Sequence, residues 1–251
     1  MIIENKIKTK EKEIAAILSE LAYFIHPKII QMIQKKNQDE YEYFKKLFEN
    51  KIDIKDYLFE GSACVFPGVR RYVSGKGKKK AYNPEYNAII DDNTFPRHLW
   101  CFLSNNKTYN GPNWIETNLN EFELAHLFTH KKDEIAEEKK LFEVVNEDID
   151  PYYNFTCACN VVLLPKGTVR PTDNSNTIRA IFYKRYFDLY KDIKHPMNGR
   201  EHFKIDIPDW YDKLKWNEPI LPFDWEKKIE NLLKYRTKRV TELIEKSNKT
   251  E

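Results

Sequence analysis

The sequence predicts a mixed α+β protein that is helical at both ends. Apolar residues recur with the helical period of 3.6 over residues 1–50 and again after Asp224. Between them, residues 61–120 are turn-rich and broken by prolines, and residues 121–191 hold two short apolar runs followed by an amphipathic segment. No stretch is typical of a linker, so we expect one domain. It spans residues 1–251, with a helical region at 1–60, an α+β core at 61–200 and a helical C-terminal region at 201–251.

The amino-acid composition limits the classes of function that the chain can have. The chain has 251 residues, of which 41% are hydrophobic and 32% charged, which is typical of a globular protein. Its 7 glycines argue against Gly-rich nucleotide loops, and its net charge of +3 is too small to indicate a partner by itself. The 4 cysteines do not make a disulfide framework, and no apolar run approaches the ~18 residues of a membrane span. We therefore expect a cytoplasmic protein without a membrane partner.

The N-terminal region predicts two helices. Apolar residues from Ile14 to Ile25 keep the helical period, and Pro27 suits the first turn of a second helix. The polar run Asn37–Glu40 predicts an interruption of that helix. The strand candidates after it are Cys64–Phe66, Ala88–Ile90 and Leu99–Leu103.

The central region predicts two strands and then a helix. The stretch 123–128 predicts a strand that ends in His126, and the second strand opens on Asn160 and ends at Pro165. Lys131–Asn146 is predicted to be an inserted helix between them. An apolar stripe beginning near Asn176 predicts the next helix. Its cap candidates are Asp173, Asn174 and Ser175.

The C-terminal region predicts an aromatic segment and a long last helix. Trp210, Tyr211 and Trp216 suit either stacking on nucleic-acid bases or packing of the C-terminal helix against the core. Asp224 is placed as the N-cap of that helix.

The residues around His126 resemble a known nuclease site. Glu-x-Ala-His-Leu at 123–127 is similar to the Glu-Ala-Ala-His-Ile variant of the first strand in HNH (ββα-metal) endonucleases. The order of strand, Asn-led strand and helix resembles the same family over about residues 121–191. The resemblance implies a ββα-metal-like core and a metal-dependent endonuclease that hydrolyses DNA phosphodiester bonds, of a restriction or phage-defence type. The implied cofactor is a divalent metal ion, Mg²⁺ or Mn²⁺, with Zn²⁺ as a further option.

The resemblance also implies roles for individual residues. His126 is the general base that takes a proton from the attacking water, and Asn160 orients it. The acidic metal ligand that commonly precedes the histidine in this family is replaced by Ala125. Glu123 shares the Ala125 face of the strand and is the substitute ligand.

The helix ligand also departs from the family pattern. Val169 stands at the usual offset from Asn160. The substitutes near the start of the helix are Asp173, Asn174 and Asn176, of which Asp173 and Asn176 are the ligands we expect.

Basic residues predict contacts with DNA. The segment from Gly61 to Pro84 contains no acid, and such a cationic run suits phosphate contact or is simply solvated. Arg179 and Arg185 are expected to flank the scissile bond. A homodimer is left open. The expected nucleic-acid-binding residues of the cationic run are Arg70, Arg71, Lys76, Lys78, Lys79 and Lys80.

Other interpretations of these residues stay open. His126 suits a strand-end histidine bonded to a backbone carbonyl, and Asn160 suits a turn residue. On that interpretation the chain is a non-catalytic module that binds nucleic acid or protein and keeps a vestigial site. Asp91-Asp92 suggests a PD-(D/E)xK nuclease centre, but no Glu-x-Lys strand follows it. A weaker zinc hypothesis takes its ligands from His98, Cys101, Cys157 and Cys159.

Overall fold

Six α-helices and one antiparallel strand pair form the regular structure of the described part of the chain. The computed structural model describes residues 2–48, 61–65, 95–128, 156–168, 175–197, 204 and 206–248. The predicted α+β class is confirmed. The elements are α1 (Ile2–Leu21), α2 (Pro27–Phe48), α3 (Phe95–Asn105), α4 (Gly111–Ile115), β1 (Phe122–His126), β2 (Val161–Pro165), α5 (Asn176–Tyr190) and α6 (Trp225–Asn248), with 3₁₀ turns at Asn118–Glu121, Ala158–Asn160 and Tyr211–Lys213.

The sheet consists of β1 and β2, which pair antiparallel as predicted from the order of two strand-like runs followed by a helical stripe. The register sets Phe122 opposite Pro165 and His126 opposite Val161. On the other side of β2, Tyr23 exchanges two backbone hydrogen bonds with Leu163, at 3.0 and 3.1 Å. The segment between α1 and α2 therefore covers the outer edge of β2.

The second helix begins at Pro27 as predicted, and the predicted interruption at Asn37–Glu40 is wrong. The Nδ1 atom of His26 accepts from the Lys28 N–H at 3.1 Å and caps the first turn. Asn37 is buried, and its amide donates to the carbonyls of Ser62 and Cys64 at 2.6 and 2.7 Å. Because these tertiary partners occupy the side chain, it does not compete for the backbone of its own helix.

The strand predicted at Leu99–Leu103 is wrong, since these residues lie in α3. In a short run of apolar residues, the hydrophobic pattern alone does not distinguish a buried strand from a buried helix. The run is buried because α3 packs on α6, where the rings of Phe102 and Tyr235 are 5.9 Å apart. Cys64 makes a single bridge to Cys157 rather than a strand. The candidates at 66 and 88–90, the dyad at 91–92 and the insertion at 131–146 lie outside the described residues.

Helix α5 begins where its cap residue predicts. Ser175 Oγ accepts from the Ile178 N–H at 3.2 Å and donates to Glu11 of α1 at 2.6 Å. Its first turns pack on the strands, because Ile178 and Ile181 share a core cluster with Ala125 of β1. The prediction that this helix packs across the strand pair is confirmed.

The aromatic segment before α6 is part of the packing. Trp216 lies 5.8 Å from the ring of Phe24 and 5.3 Å from that of Phe182. The Tyr211 hydroxyl donates to Asp188 of α5 at 2.8 Å. These contacts bind the segment to α5 and the N-terminal region. Among the described residues, no helix has both the length and the apolar character that crossing a membrane requires.

Helix α6 begins at Trp225, directly after the predicted cap Asp224, and carries a buried arginine. The Arg236 guanidinium is 0% exposed, forms an ion pair with Glu40 of α2 and donates to Asn37. It also lies over the Phe44 ring, at 5.2 Å. Desolvation lowers the pKa of Arg236, and the Glu40 carboxylate acts against that shift by favouring the charged form.

Candidate functional site

The strand pair brings His126 and Asn160 to one end of the sheet. His126 is the last residue of β1 and lies opposite Val161, which directly follows Asn160. The Leu127 N–H donates to the Asn160 carbonyl at 3.0 Å. The expectation that these two residues lie on the same side of the molecule is confirmed, although they are 34 positions apart in the chain.

The Asn160 side chain holds the chain directly after His126. Its Oδ1 accepts from the Phe128 N–H at 2.8 Å, and its Nδ2 donates to the Phe128 carbonyl at 3.2 Å. Asn160 is 0% exposed, so both bonds form away from water, where an unmade backbone bond is costly. The structure thus gives Asn160 a positioning contact on the backbone. A direct bond from Asn160 to the His126 ring stays a prediction.

Phe128 connects this end of β1 to α5. Its ring stacks on Tyr183 with centroids 5.0 Å apart and an interplanar angle of 6°, and it meets Tyr186 edge-on at 5.0 Å. Because Phe128 is anchored by Asn160 and by α5, the backbone that leaves His126 is held from two directions. Half-buried His126 therefore lies on a fixed strand end.

The candidate metal ligand Glu123 lies in β1, three residues before His126 and on the opposite face of the strand. It is opposite Leu164 and shares its face with Ala125, which belongs to the same core cluster as Ile178 of α5. One oxygen of Glu123, Oε1, accepts from the Gly167 N–H at 2.9 Å. The carboxylate is therefore oriented from the turn that follows β2.

The helix ligands are only partly described. Asn176 is the exposed first residue of α5, while Asp173 and Asn174 lie outside the described residues. Carboxylate and amide oxygens are donors that Mg²⁺ and Mn²⁺ prefer, so the chemistry of Glu123, Asp173 and Asn176 fits a hard divalent ion. Within the ranges that the structure describes, no three His, Cys, Asp or Glu side chains form a group able to hold a metal.

The two predicted DNA-contacting arginines of α5 differ in their surroundings. Arg179 is half-buried, one turn after Asn176. Arg185 instead packs over the Trp216 ring at 5.5 Å and donates to the Asn217 carbonyl at 3.2 Å. These contacts show that the Arg185 guanidinium helps to pack the aromatic segment against α5, and its place beside the scissile bond stays a prediction. The basic residues predicted at 70, 71, 76, 78, 79 and 80 lie outside the described residues.

The residues of the zinc hypothesis do not come together. His98 Nδ1 accepts from the Tyr109 N–H at 2.8 Å, and its ring lies 4.9 Å from that of Tyr235. Burial, assisted by nearby Arg239, lowers the pKa of His98 to about 4. Burial raises the pKa of Cys101 to about 11, so its thiol stays protonated at neutral pH. Cys157 and Cys159 are buried where the chain leads into Asn160, and among the described residues the four side chains do not form a metal-holding group.

Phe128 and Tyr183 are site residues that the sequence did not single out. The only signal for Phe128 was its apolar character two residues after His126, where the strand was already expected to end. Tyr183 is not part of the apolar stripe that predicts this helix, which consists of Ile178, Ile181, Phe182, Tyr186, Leu189 and Tyr190. It is nevertheless buried, because α5 has apolar neighbours on two sides.

Comparisons of the chain with protein-family models, with curated proteins and with solved structures gave no match.

Proposed function

We propose that the chain is a metal-dependent endonuclease of the ββα-metal type that hydrolyses DNA phosphodiester bonds. One observation supports the proposal most. A strand ending in His126, an antiparallel strand preceded by Asn160 and a helix beginning at Asn176 pack together in the order that this chemistry uses.

His126 is the proposed general base. A neutral imidazole takes the proton of the attacking water, and its contribution depends on being held in one place. The Asn160–Phe128 bonds and the Phe128–Tyr183 stack hold the backbone after His126 and so provide that positioning.

A bound divalent ion supplies stabilisation of the charge that develops on phosphate and leaving oxygen. Glu123, Asp173 and Asn176 are the residues proposed to hold it. Glu123 lies on the same face of β1 as Ala125, which shares a core cluster with Ile178 in the first turn of α5, and this supports the choice.

The proposed substrate is DNA, and the proposed role is restriction or phage defence in the cytoplasm. Six basic residues between positions 70 and 80, in a segment without acids, support a polyanionic substrate. The restriction or defence role rests on the resemblance alone.

The test is cleavage of supercoiled plasmid with Mg²⁺, Mn²⁺ or Zn²⁺ and with a chelator. We expect metal-dependent nicking or linearisation by the wild type and a roughly 10²–10⁴-fold slower rate for His126→Ala, the usual effect of losing a general base. His195→Asn is the matched control, since His195 is exposed and its φ of 50° is one that asparagine tolerates. Equal rates for wild type and His126→Ala would reject His126 as the base.

The second candidate is a non-catalytic module that binds nucleic acid or protein. The hydrogen bond from the Gly167 N–H to the Glu123 carboxylate favours this candidate. A carboxylate that stabilises the turn after β2 can be explained by its structural role, without a role in binding metal. This candidate predicts saturable binding of DNA without cleavage by the wild type in every metal.

A further inference from the structure

Cys64, Cys157 and Cys159 lie in one core cluster, the last two where the chain leads into Asn160, and all four cysteines are free thiols. Cys64 and Cys157 are 0% exposed and Cys159 is 1% exposed. The proposed nuclease chemistry uses none of them.

Cys64 and Cys157 face each other directly in an isolated antiparallel bridge. The hydrogen bonds of this bridge flank the pair: the Val65 N–H donates to Thr156 at 3.1 Å, and the Ala158 N–H donates to Ala63 at 2.9 Å. The two cysteines are thus a non-hydrogen-bonded pair, the kind in which opposite Cα atoms are only ~4.5 Å apart. A disulfide requires a Cα separation of roughly 4.4–6.8 Å, so the backbone already has a suitable spacing.

Both segments of the bridge are held in place. Asn37 of α2 donates to the carbonyls of Ser62 and Cys64, at 2.6 and 2.7 Å. On the other segment, Cys159 donates to the Pro196 carbonyl at 3.7 Å. The spacing of the pair is therefore a property of the folded core.

The thiols also lie close to one another. Burial raises the pKa of Cys157 well above its ordinary value, and a hydrogen bond with Cys159 and the neighbouring Cys64 raise it further. The Cys64 sulfur lies 3.0 Å from the Thr156 hydroxyl. Two partners are thus within reach of Cys157, and the facing bridge geometry favours Cys64.

We propose that Cys64 and Cys157 are an oxidation site that forms a cross-strand disulfide with a low-molecular-weight disulfide as oxidant. Two exchange steps balance the reaction. A cysteine thiolate attacks the reagent and releases one small thiol, and the second cysteine then displaces the other, so that two protein thiols are oxidised and one disulfide is reduced.

The reaction runs through local opening of the core, because a buried, protonated thiol is a poor nucleophile. Once formed, the bond joins the 62–65 segment to the residues that lead into Asn160. The disulfide then fixes the segment that carries Asn160, which positions Phe128. Because the bond lies in the closed core, reductant has little access to it.

The test is equilibration of the wild type in glutathione buffers of increasing oxidised fraction, followed by alkylation and non-reducing peptide mapping. The free-thiol count should fall from four to two, with one linked peptide pair containing Cys64 and Cys157. Cys101→Ala and Cys159→Ala should keep this bond. Cys64→Ala and Cys157→Ala should lose it.

Refolding in the same buffers provides a second measurement that does not depend on access to the folded core. The Cys64–Cys157 bond should again be the main product, and dithiothreitol with denaturant should reverse it. A main product of Cys157–Cys159, a stable mixed disulfide with glutathione, or four free thiols in the most oxidising buffer by both routes would overturn the proposal.

Discussion

Asn160 binds Phe128 through both backbone groups, accepting from its N–H at 2.8 Å and donating to its carbonyl at 3.2 Å. A side-chain amide thereby does what a neighbouring strand would do, at the point where β1 has ended. The contact joins two segments that are distant in sequence, and it fixes the direction in which the chain leaves His126.

Replacing Asn160 with alanine should lower the free energy of unfolding by about 1–3 kcal/mol, because the buried N–H and carbonyl of Phe128 lose their partner. Urea unfolding at pH 7 measures this loss. Asn176→Ala is the control, since Asn176 is exposed and a surface change usually stays within about 0.5 kcal/mol. Equal stability of the two variants would show that the two bonds contribute nothing.

Breaking the buried ion pair between Arg236 and Glu40 should be strongly destabilising. Arg236→Met should lower the free energy of unfolding by up to about 3 kcal/mol, because Glu40 and Asn37 lose the buried guanidinium, although Glu40 keeps its ion pair with Lys36 at 3.0 Å. Thermal and urea unfolding measure the loss.

Lys238→Met is the matched control on the same helix. Lys238 lies 3.9 Å from Glu242, and its side chain is 78% exposed, so this substitution should change stability by less than about 0.5 kcal/mol. Adding Glu40→Gln to Arg236→Met should cost less than the sum of the two single changes. Full additivity would show that the pair is not coupled.

Acid should destabilise the protein through His98. Its pKa is lowered from the ordinary value of 6.5 to about 4, so between these values the unfolded chain binds a proton that the native protein does not. Stability from this source is complete above pH 6.5 and falls as the pH drops to about 4, by up to about 3 kcal/mol at 1.36 kcal/mol per pH unit.

His98→Asn should remove this dependence. The amide oxygen can accept from the Tyr109 N–H as Nδ1 does, and it has no proton to gain in this range. Urea unfolding at pH 7 and pH 4.5 should show a smaller difference for the variant than for the wild type. An unchanged difference would assign the acid sensitivity to other groups, such as His26, whose pKa burial also lowers.

Neutralising four lysines of the cationic segment should weaken DNA binding for all sequences and flatten its salt dependence. Each lysine that no longer neutralises a phosphate reduces the log–log salt slope by about 0.9 on duplex DNA. Fluorescence anisotropy at several salt concentrations measures both effects for the Gln variant at Lys76, Lys78, Lys79 and Lys80.

A second variant carries the same change of charge on exposed helix positions, with Gln at Lys35, Lys45, Lys46 and Lys234. It should bind nearly as the wild type does. Equal weakening by both variants would indicate a response to net charge rather than to the 76–80 segment.

The elements with a strong local signal could be predicted from the sequence. Ser175 followed by an apolar stripe fixes the start of α5, and Pro27 fixes the start of α2. The strand pair was also predictable, because Asn160 opens an apolar run whose length suits a strand.

Features that depend on distant partners could not be predicted. Asn37 looked like a helix breaker, yet its amide serves two carbonyls beyond the end of its helix. Arg185 was predicted only as a phosphate contact, yet its guanidinium also packs on Trp216 and donates to Asn217. In both cases the tertiary partner, absent from the local sequence, decides what a polar side chain does.

The hydrogen bonds between Tyr23 and Leu163 have a consequence for dissecting this protein. They satisfy the outer edge of β2 with a residue that precedes the site by more than a hundred positions. A fragment restricted to residues 121–191 would carry that edge uncovered, and an unpaired strand edge recruits other chains. Minimal versions of the site should therefore retain the N-terminal region, or they will aggregate for reasons unrelated to catalysis.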